Sequence, residues 1–169
     1  MKNSLIKGLN LKRYYEGGYW GIKNNDYNKI GTLKNNTLAE STIKSIYYML
    51  ESTNFLKFRR CSHSFTVRYS EGDTQVVFIT ICNNGELNIL KLGNNRKNKE
   101  LSEVTIFKDT LFALFLNETN NYSLLEFENL DYLNFDALEK PNNELLKNQY
   151  PEYKSYFDLF NEIDEFSNS

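Results

Sequence analysis

Residues 64–82, SFTVRYSEGDTQVVFITIC, hold two runs of β-branched and aromatic side chains on either side of the turn sequence EGD at residues 71–73. Side chains of these types suit the pleated surface of a sheet, and glycine beside aspartate is typical of a turn. The stretch therefore predicts two strands joined by a turn. The sequence NNG at residues 83–85 then favours a tight hairpin, with residues 86–91 returning as the next strand.

The same pattern continues outward from this stretch. Turn sequences separate short apolar runs by about 8–12 residues, which is typical of an all-β sandwich or barrel. A parallel sheet would require strands that alternate with long helices, and the sequence does not show that pattern. An aromatic content of 15%, with 12 Tyr and 12 Phe, agrees with this class. The further predicted strands are residues 41–50, 104–107, 111–116 and 122–127.

The two ends of the chain have a different character. Residues 4–11 form a short helical or extended lead-in, and residues 14–21 place three glycines among aromatic residues, which favours a bulged edge strand over direct ligand contact. Apolar spacing in residues 142–146 and 152–166 favours short C-terminal helices that pack on the rest. We expect one domain over residues 1–169, with a barrel core at about 12–136 and a C-terminal helical segment at about 137–166.

Composition excludes several functional classes. A formal charge of −2 and a pI near 5.6 argue against binding of duplex nucleic acid by bulk electrostatics. Two cysteines, Cys61 and Cys82, are too few for a disulfide framework and indicate a reducing compartment. The N-terminal residues lack the apolar core of a signal peptide, and no apolar run is long enough to cross a membrane. These features predict a soluble cytoplasmic protein.

Several short motifs, in order along the chain, resemble a small family of single-domain cupins of poorly characterised function. The family's typical opening is His-Pro-Glu-Gly-Gly-Tyr, and here EGGY stands at residues 16–19 with Tyr14-Tyr15 in place of His-Pro. The resemblance implies a double-stranded β-helix, the cupin jelly-roll barrel, related in fold to sugar-nucleotide epimerases. It also implies a homodimer with the ligand cavity inside the barrel. The other matching motifs are residues 46–50, 58–73, 92–93, 110–113, 122–124, 135–136, 144–146 and 150–152.

The first cupin metal motif has lost its ligands in this chain. Its pattern is His-x-His, three residues, Glu, six residues, Gly, and it falls on Arg59, Cys61, Phe65 and Gly72. Only the glycine matches. One thiol, one cation and one phenyl ring do not supply the converging donors that a transition metal needs.

The second motif, Pro-x-Gly-x-x-His, falls on Phe107, Asp109 and Phe112, so its histidine is also replaced. Cys61 and His63 form a Cys-x-His pair, which offers two donors where a catalytic site usually has three protein ligands. We therefore predict that the protein uses no metal or other cofactor.

Arginine replaces the metal ligands. If Arg59 and Arg68 both face the barrel interior, their guanidinium groups would match the oxygens of a carboxylate or phosphate. The alternative is that the arginines pair with acids such as Glu16, Glu71, Asp73 or Glu126, or face solvent. Aromatic side chains, including Tyr69, are cavity or core candidates. The candidate ligand-binding residues are Arg59, Arg68, Tyr19, Trp20, Tyr47, Cys61 and Phe112.

Three functional hypotheses follow. The first is a metal-free cupin that binds a small anionic ligand, such as a nucleotide, a nucleotide sugar or a carboxylate. The second is a metal-independent isomerase or epimerase of a sugar-like substrate, whose base would be His63, Glu16 or a tyrosine; its catalytic residues are unknown. The third is a non-catalytic protein-interaction module with a closed barrel, its interior filled by Phe65, Phe107 and Phe112.

Overall fold

A computed structural model describes residues 1–23, 45–52, 54–60, 63–128 and 138–159. Within them, ten strands form two antiparallel sheets, and short α-helical segments lie before and after the strands in sequence, the last of them at residues 154–159. The first two of these are α1 (Lys2–Gly8) and α2 (Asn143–Gln149). The strands are β1 (Lys12–Arg13), β2 (Tyr19–Ile22), β3 (Ile46–Glu51), β4 (Phe55–Arg60), β5 (Phe65–Gly72), β6 (Val76–Ile81), β7 (Leu87–Leu92), β8 (Glu103–Ile106), β9 (Leu111–Leu116) and β10 (Tyr122–Glu128).

The strand order alternates between the sheets. One sheet has the order β1-β2-β3-β10-β5-β8 and the other β4-β9-β6-β7. Consecutive strands β3, β4, β5 and β6 therefore pass from sheet to sheet, and β10 lies between β3 and β5. This is the arrangement of a jelly roll, in which apolar residues of both sheets face a shared interior. The predicted all-β jelly-roll barrel is confirmed.

The interior is packed with side chains that alternate along each strand. On β5, Phe65, Val67 and Tyr69 face inward, and they contact inward residues of the opposite sheet. The ring of Phe65 lies 5.2 Å from that of Phe112 and 5.8 Å from that of Phe127, measured between ring centroids. Each fully buried phenyl side chain contributes roughly 1.5–3 kcal/mol to folding.

Both outer faces carry further apolar packing. On the six-stranded sheet, Leu5 and Leu9 from the N-terminal segment pack against Met49 and Leu124. On the four-stranded sheet, the C-terminal segment buries Phe157 against Phe58, with ring centroids 5.2 Å apart. Neither helix, nor any other helical turn in the described ranges, is long and apolar enough to cross a membrane.

Most local predictions are confirmed. The predicted hairpin joins β6 to β7, where the Cys82 amide donates to the Glu86 carbonyl at 2.9 Å and the chain turns at Gly85 with a φ of 86°. The N-terminal lead-in is a helix rather than a strand, and both C-terminal segments begin as helices. Residues 41–44 and 160–166 of the predicted elements lie outside the described residues.

A single residue extends the four-stranded sheet beyond β4. Arg60 and Glu139 exchange two backbone hydrogen bonds of 3.0 and 3.1 Å, and their side chains approach to 3.8 Å. The segment after residue 137 is therefore attached to the barrel by main-chain pairing as well as by side-chain packing.

Gly72 generates the first prediction. At its φ of 154°, an added Cβ would lie 2.5 Å from the Tyr122 carbonyl oxygen and 2.7 Å from the Ser123 Cα, where Gly72 pairs with Ser123 of β10. We expect Gly72→Ala to lower the free energy of unfolding by more than about 1 kcal/mol. Gly8→Ala is the matched control, because nothing lies within 4 Å of its added Cβ. Urea denaturation measures both variants, and equal stabilities would contradict the steric account.

Candidate functional site

Arg59 lies inside the barrel because β4 is irregular. Leu56 and Phe112 face the interior, whereas Phe55 and Phe58 face the C-terminal segment. The register of β4 against β9 shifts between Leu56 and Arg59, and this shift turns Arg59 inward immediately after the outward Phe58. Only 1% of Arg59 is exposed, so a permanent charge lies within an apolar core.

The turn between β1 and β2 supplies the partners of this charge. The Glu16 carboxylate forms an ion pair with the Nη2 group of Arg59, and the Tyr14 hydroxyl also accepts a hydrogen bond from the guanidinium. The Nη1 group has two carbonyl contacts, each of 3.5 Å, to Lys57 and to Phe58. Arg59 Nε has no hydrogen-bond partner among the described residues.

Two buried tyrosines complete the cluster. The Tyr48 hydroxyl donates to the Gly17 carbonyl at 3.0 Å, and the Tyr14 and Tyr48 rings meet edge to face with centroids 6.2 Å apart. Burial raises the pKa of both phenols well above the ordinary value, although Arg59 acts in the opposite direction on each. Both hydroxyls therefore stay protonated at neutral pH. We call Tyr14, Glu16, Tyr48 and Arg59 the Arg59 cluster.

The positions that match cupin metal ligands do come together. Arg59 is the register partner of Phe112, and the Phe112 ring contacts Phe65. A guanidinium and two phenyl rings cannot coordinate a cation, so these positions do not fit a metal. Within the described ranges, no three His, Cys, Asp or Glu residues are grouped so that they could hold a metal ion. His63 is described but Cys61 is not, so the proposed Cys61–His63 pair lies outside those ranges.

Both glycine positions of the motifs have positive φ angles. Gly72 remains, at the close approach to β10 described above. Asp109 replaces the glycine of the second motif and adopts a φ of 65°, which aspartate tolerates better than most residues. The motifs thus keep their backbone roles while their ligand positions have changed.

The candidate ligand-binding residues divide between the two faces of the barrel wall. Arg59, Trp20 and Phe112 contribute to the interior. Tyr19 and Tyr47 pack on the outer face with Met49 and the N-terminal helix. Side chains alternate in direction along β2 and β3. Trp20 and Tyr48 face inward, so Tyr19 and Tyr47 face outward and do not line the interior. Cys61 lies outside the described residues.

Arg68 also faces outward, so the expectation that it adds charge to the interior is wrong. Its neighbours Val67 and Tyr69 occupy the inward positions of β5. Arg68 Nε donates to Glu103 at 3.1 Å, and its Nη1 donates to Glu128 at 2.5 Å. The hydrogen bond to Glu103, followed by the charge of Glu128, raises the pKa of Arg68. Its side chain is 41% exposed, so water screens these ion pairs.

Two residues that were expected to have roles in the barrel, His63 and Phe107, are exposed. His63 is exposed between β4 and β5, whereas Arg59 is buried inside the barrel. Phe107 is 68% exposed and does not fill the barrel, whereas Phe127, which was not proposed for this role, does. Tyr14 and Tyr48 were also not proposed as site residues. The sequence did offer a signal for Tyr14, because Tyr14-Tyr15 replaces the family's His-Pro pair.

The two sheets, the inward motif positions and the two turns define a cupin-type barrel. Residues 3–127 match the family model Cupin_5, described as Cupin superfamily (DUF985). This match covers more than half of the chain, and the protein belongs to that family. No curated protein matches the chain.

Solved structures show the same fold. A protein from Shewanella oneidensis aligns with a TM-score of 0.72 and 21% identity over 92% of this chain and 94% of its own. A hypothetical protein from Leishmania major aligns with a TM-score of 0.71 and 15% identity over 93% and 96%. Bacillus subtilis oxalate decarboxylase, which has Mn(II) centres, aligns with a TM-score of 0.52 and 10% identity over 83% and 35%. At these identities the likeness concerns the fold.

The buried phenol of Tyr48 generates a pH prediction. Its pKa is raised by folding, so its contribution to stability is complete below the unfolded pKa, near 10, and is lost as the pH rises above that value. We expect Tyr48→Phe to cost about 1 kcal/mol at neutral pH through loss of the hydrogen bond to Gly17. Above pH ~10 the variant should lose stability less steeply than the parent.

Urea denaturation at a series of alkaline pH values measures this difference. Tyr15→Phe is the control, because Tyr15 is 66% exposed. Parallel curves for Tyr48→Phe and the parent protein would show that Tyr48 is not the group that titrates.

Proposed function

We propose that this protein is a ligand-binding cupin, and that the Arg59 cluster holds an anionic group of a small molecule without a metal. The observation that carries the proposal is a buried guanidinium, at a position that corresponds to a cupin metal ligand, with part of its donor capacity unused. The resemblance to cupins supports the location, since their ligand cavity lies inside the barrel.

The hydrogen bonding of Arg59 is incomplete in a way that suits an anion. A guanidinium carries five N–H donors in a planar fork. Here Glu16 and Tyr14 accept some of them, but contacts of 3.5 Å to two carbonyl groups are at the outer limit of hydrogen bonding. Arg59 Nε is unpartnered among the described residues, and a buried unpaired donor costs about 1–3 kcal/mol. A carboxylate or phosphate oxygen would satisfy it.

Glu16 is the group that such a ligand would displace or share. The side chain of Glu16 is 17% exposed, whereas that of Arg59 is 2% exposed. The acid therefore approaches the buried cation from the more accessible side, on the β1–β2 turn. A ligand carboxylate or phosphate would form the same charge-assisted hydrogen bonds that Glu16 forms now. Trp20, partly buried against the interior, offers an aromatic surface for the ring of a nucleotide or an aromatic acid.

A screen of nucleotides, nucleotide sugars and organic acids by thermal shift and calorimetry tests this proposal. We expect Arg59→Lys to weaken binding of a hit about tenfold or more, because lysine cannot reproduce the planar fork. Glu16→Gln should strengthen anion binding by about tenfold, since a like charge is removed while the shape is kept.

Arg68→Met is the matched control, because it removes an arginine from the outer face of the barrel. Affinity should stay unchanged in this variant. If Arg59→Lys and Glu16→Gln both bind the hit as the parent does, the Arg59 cluster is not the site. The dimer implied by the family resemblance remains a prediction, which sedimentation velocity can test.

The packing of the barrel favours one alternative, the non-catalytic interaction module. Phe65, Phe112 and Phe127 are each no more than 1% exposed, and the Phe65 ring contacts the rings of the other two. They occupy the centre of the interior, so a ligand would have to bind beside them, at the Arg59 cluster. No hit in the anion screen, together with capture of a protein partner that Arg59→Lys leaves unaffected, would favour this alternative.

A further inference from the structure

A short stretch that follows the last strand, residues 138–140, is fixed to the barrel beside the Arg59 cluster. Leu138 is 6% exposed and belongs to the apolar cluster of the interior. Glu139 pairs with Arg60, the chain neighbour of Arg59, through the two backbone hydrogen bonds described above. Burial and main-chain pairing therefore hold this stretch in place, and with it the residue that follows, Lys140.

Lys140 connects this stretch to the β1–β2 turn. Its ammonium group donates a hydrogen bond to the Tyr15 hydroxyl and lies 4.8 Å from the centroid of the Tyr15 ring. A cation above an aromatic ring is attracted by the negative face of that ring. Both residues are exposed, so the contact lies at the surface.

Tyr15 links this surface contact to the buried cluster. Its ring contacts the Tyr14 ring, with centroids 4.8 Å apart, and the Tyr14 hydroxyl is hydrogen-bonded to Tyr15 as well as to Arg59. The next residue of the turn, Glu16, forms the ion pair with Arg59. The same turn therefore holds the partner of Lys140 on its exposed side and the internal anion of Arg59 on its buried side.

We infer that the contact between Lys140 and Tyr15 regulates the anion site by holding Glu16 against Arg59. This role rests on the function proposed above, in which an anion displaces Glu16 or shares Arg59 with it. A contact that forms only when the turn is closed stabilises the closed state relative to the open one. Loss of the contact therefore raises the open population, in which Glu16 competes less well with an external anion.

Hydrogen exchange of backbone amides, followed by NMR without any ligand, tests the effect on the turn. The Tyr14 amide donates to the Gly18 carbonyl at 2.9 Å, and the Gly17 amide donates to the Tyr14 carbonyl at 3.0 Å, so both exchange when the turn opens. We expect Lys140→Met to accelerate both about two- to fivefold, the effect of losing one exposed cation–π contact. Lys140→Arg should restore the parent rates, because arginine also binds the face of an aromatic ring.

Two controls separate this effect from general destabilisation. Lys154→Met removes an exposed lysine from the helical segment at residues 154–159 and should leave both rates unchanged. The Lys99 amide, which donates to the Arg96 carbonyl at 3.0 Å in the β7–β8 connection, should exchange at the parent rate in Lys140→Met. Unchanged exchange in the β1–β2 turn of Lys140→Met, or equal acceleration of the Lys99 amide, would overturn the inference.

Titration with inorganic phosphate, followed in the same NMR spectra, measures the effect on binding. Lys140→Met should strengthen phosphate binding about two- to fivefold, in proportion to the opening of the turn. In a Glu16→Gln background the same change should leave the affinity unchanged, because no charged competitor remains. Weaker binding in both backgrounds would show that Lys140 contacts the anion directly, and would overturn the inference.

Failure of the proposed function has a different result. If the parent protein binds neither phosphate nor any other anion of the screen, the proposed function is contradicted, and the regulation with it. If phosphate binding depends on Arg59 but is the same in Lys140→Met and the parent, the regulation alone is contradicted.

Discussion

The buried charge of Arg59 constrains how the parts of this barrel fit together. A guanidinium enclosed by phenyl rings must have a counter-charge, because leaving one partner of a buried pair alone costs about 3–5 kcal/mol. That counter-charge comes from Glu16, which belongs to the β1–β2 turn at the edge of the other sheet. The pair therefore joins the four-stranded sheet to the six-stranded sheet. The Tyr48 hydrogen bond to Gly17 fixes the same turn from β3.

The cluster and the aromatic interior are two solutions to the loss of metal ligands. A cupin metal site is a polar region within an apolar barrel. Here Phe65 and Phe112 extend the apolar core into that region, and Arg59 keeps one polar position within it. In the proposed anion site, Arg59 binds a ligand. In the closed barrel, Arg59 binds the protein's own Glu16 instead. Mutation of Glu16 separates the two because it changes the internal partner alone.

Strand identity could be predicted from the sequence, whereas the direction of single side chains could be predicted only where strands are regular. On β5, the alternation of Phe65, Val67 and Tyr69 was sufficient to place Arg68 outside, and the expectation that Arg68 faces the interior disregarded that alternation. On β4, strict alternation from Leu56 would turn Arg59 outward, and the register shift that reverses this has no sequence signature. The packing of Tyr19 and Tyr47 beneath the N-terminal segment likewise depends on a tertiary contact.

The pairing of Arg60 with Glu139 affects association with other chains. A strand at the margin of a sheet exposes unpaired amide and carbonyl groups that can recruit another strand. β4 is at one margin of the four-stranded sheet, and Glu139 occupies hydrogen-bonding groups there that an incoming chain would need. β7 is at the other margin, where Leu101 covers only its final residues. Among the described residues, each margin of this sheet is therefore capped at one end of its edge strand, which limits the length over which a further strand could pair with β4 or β7.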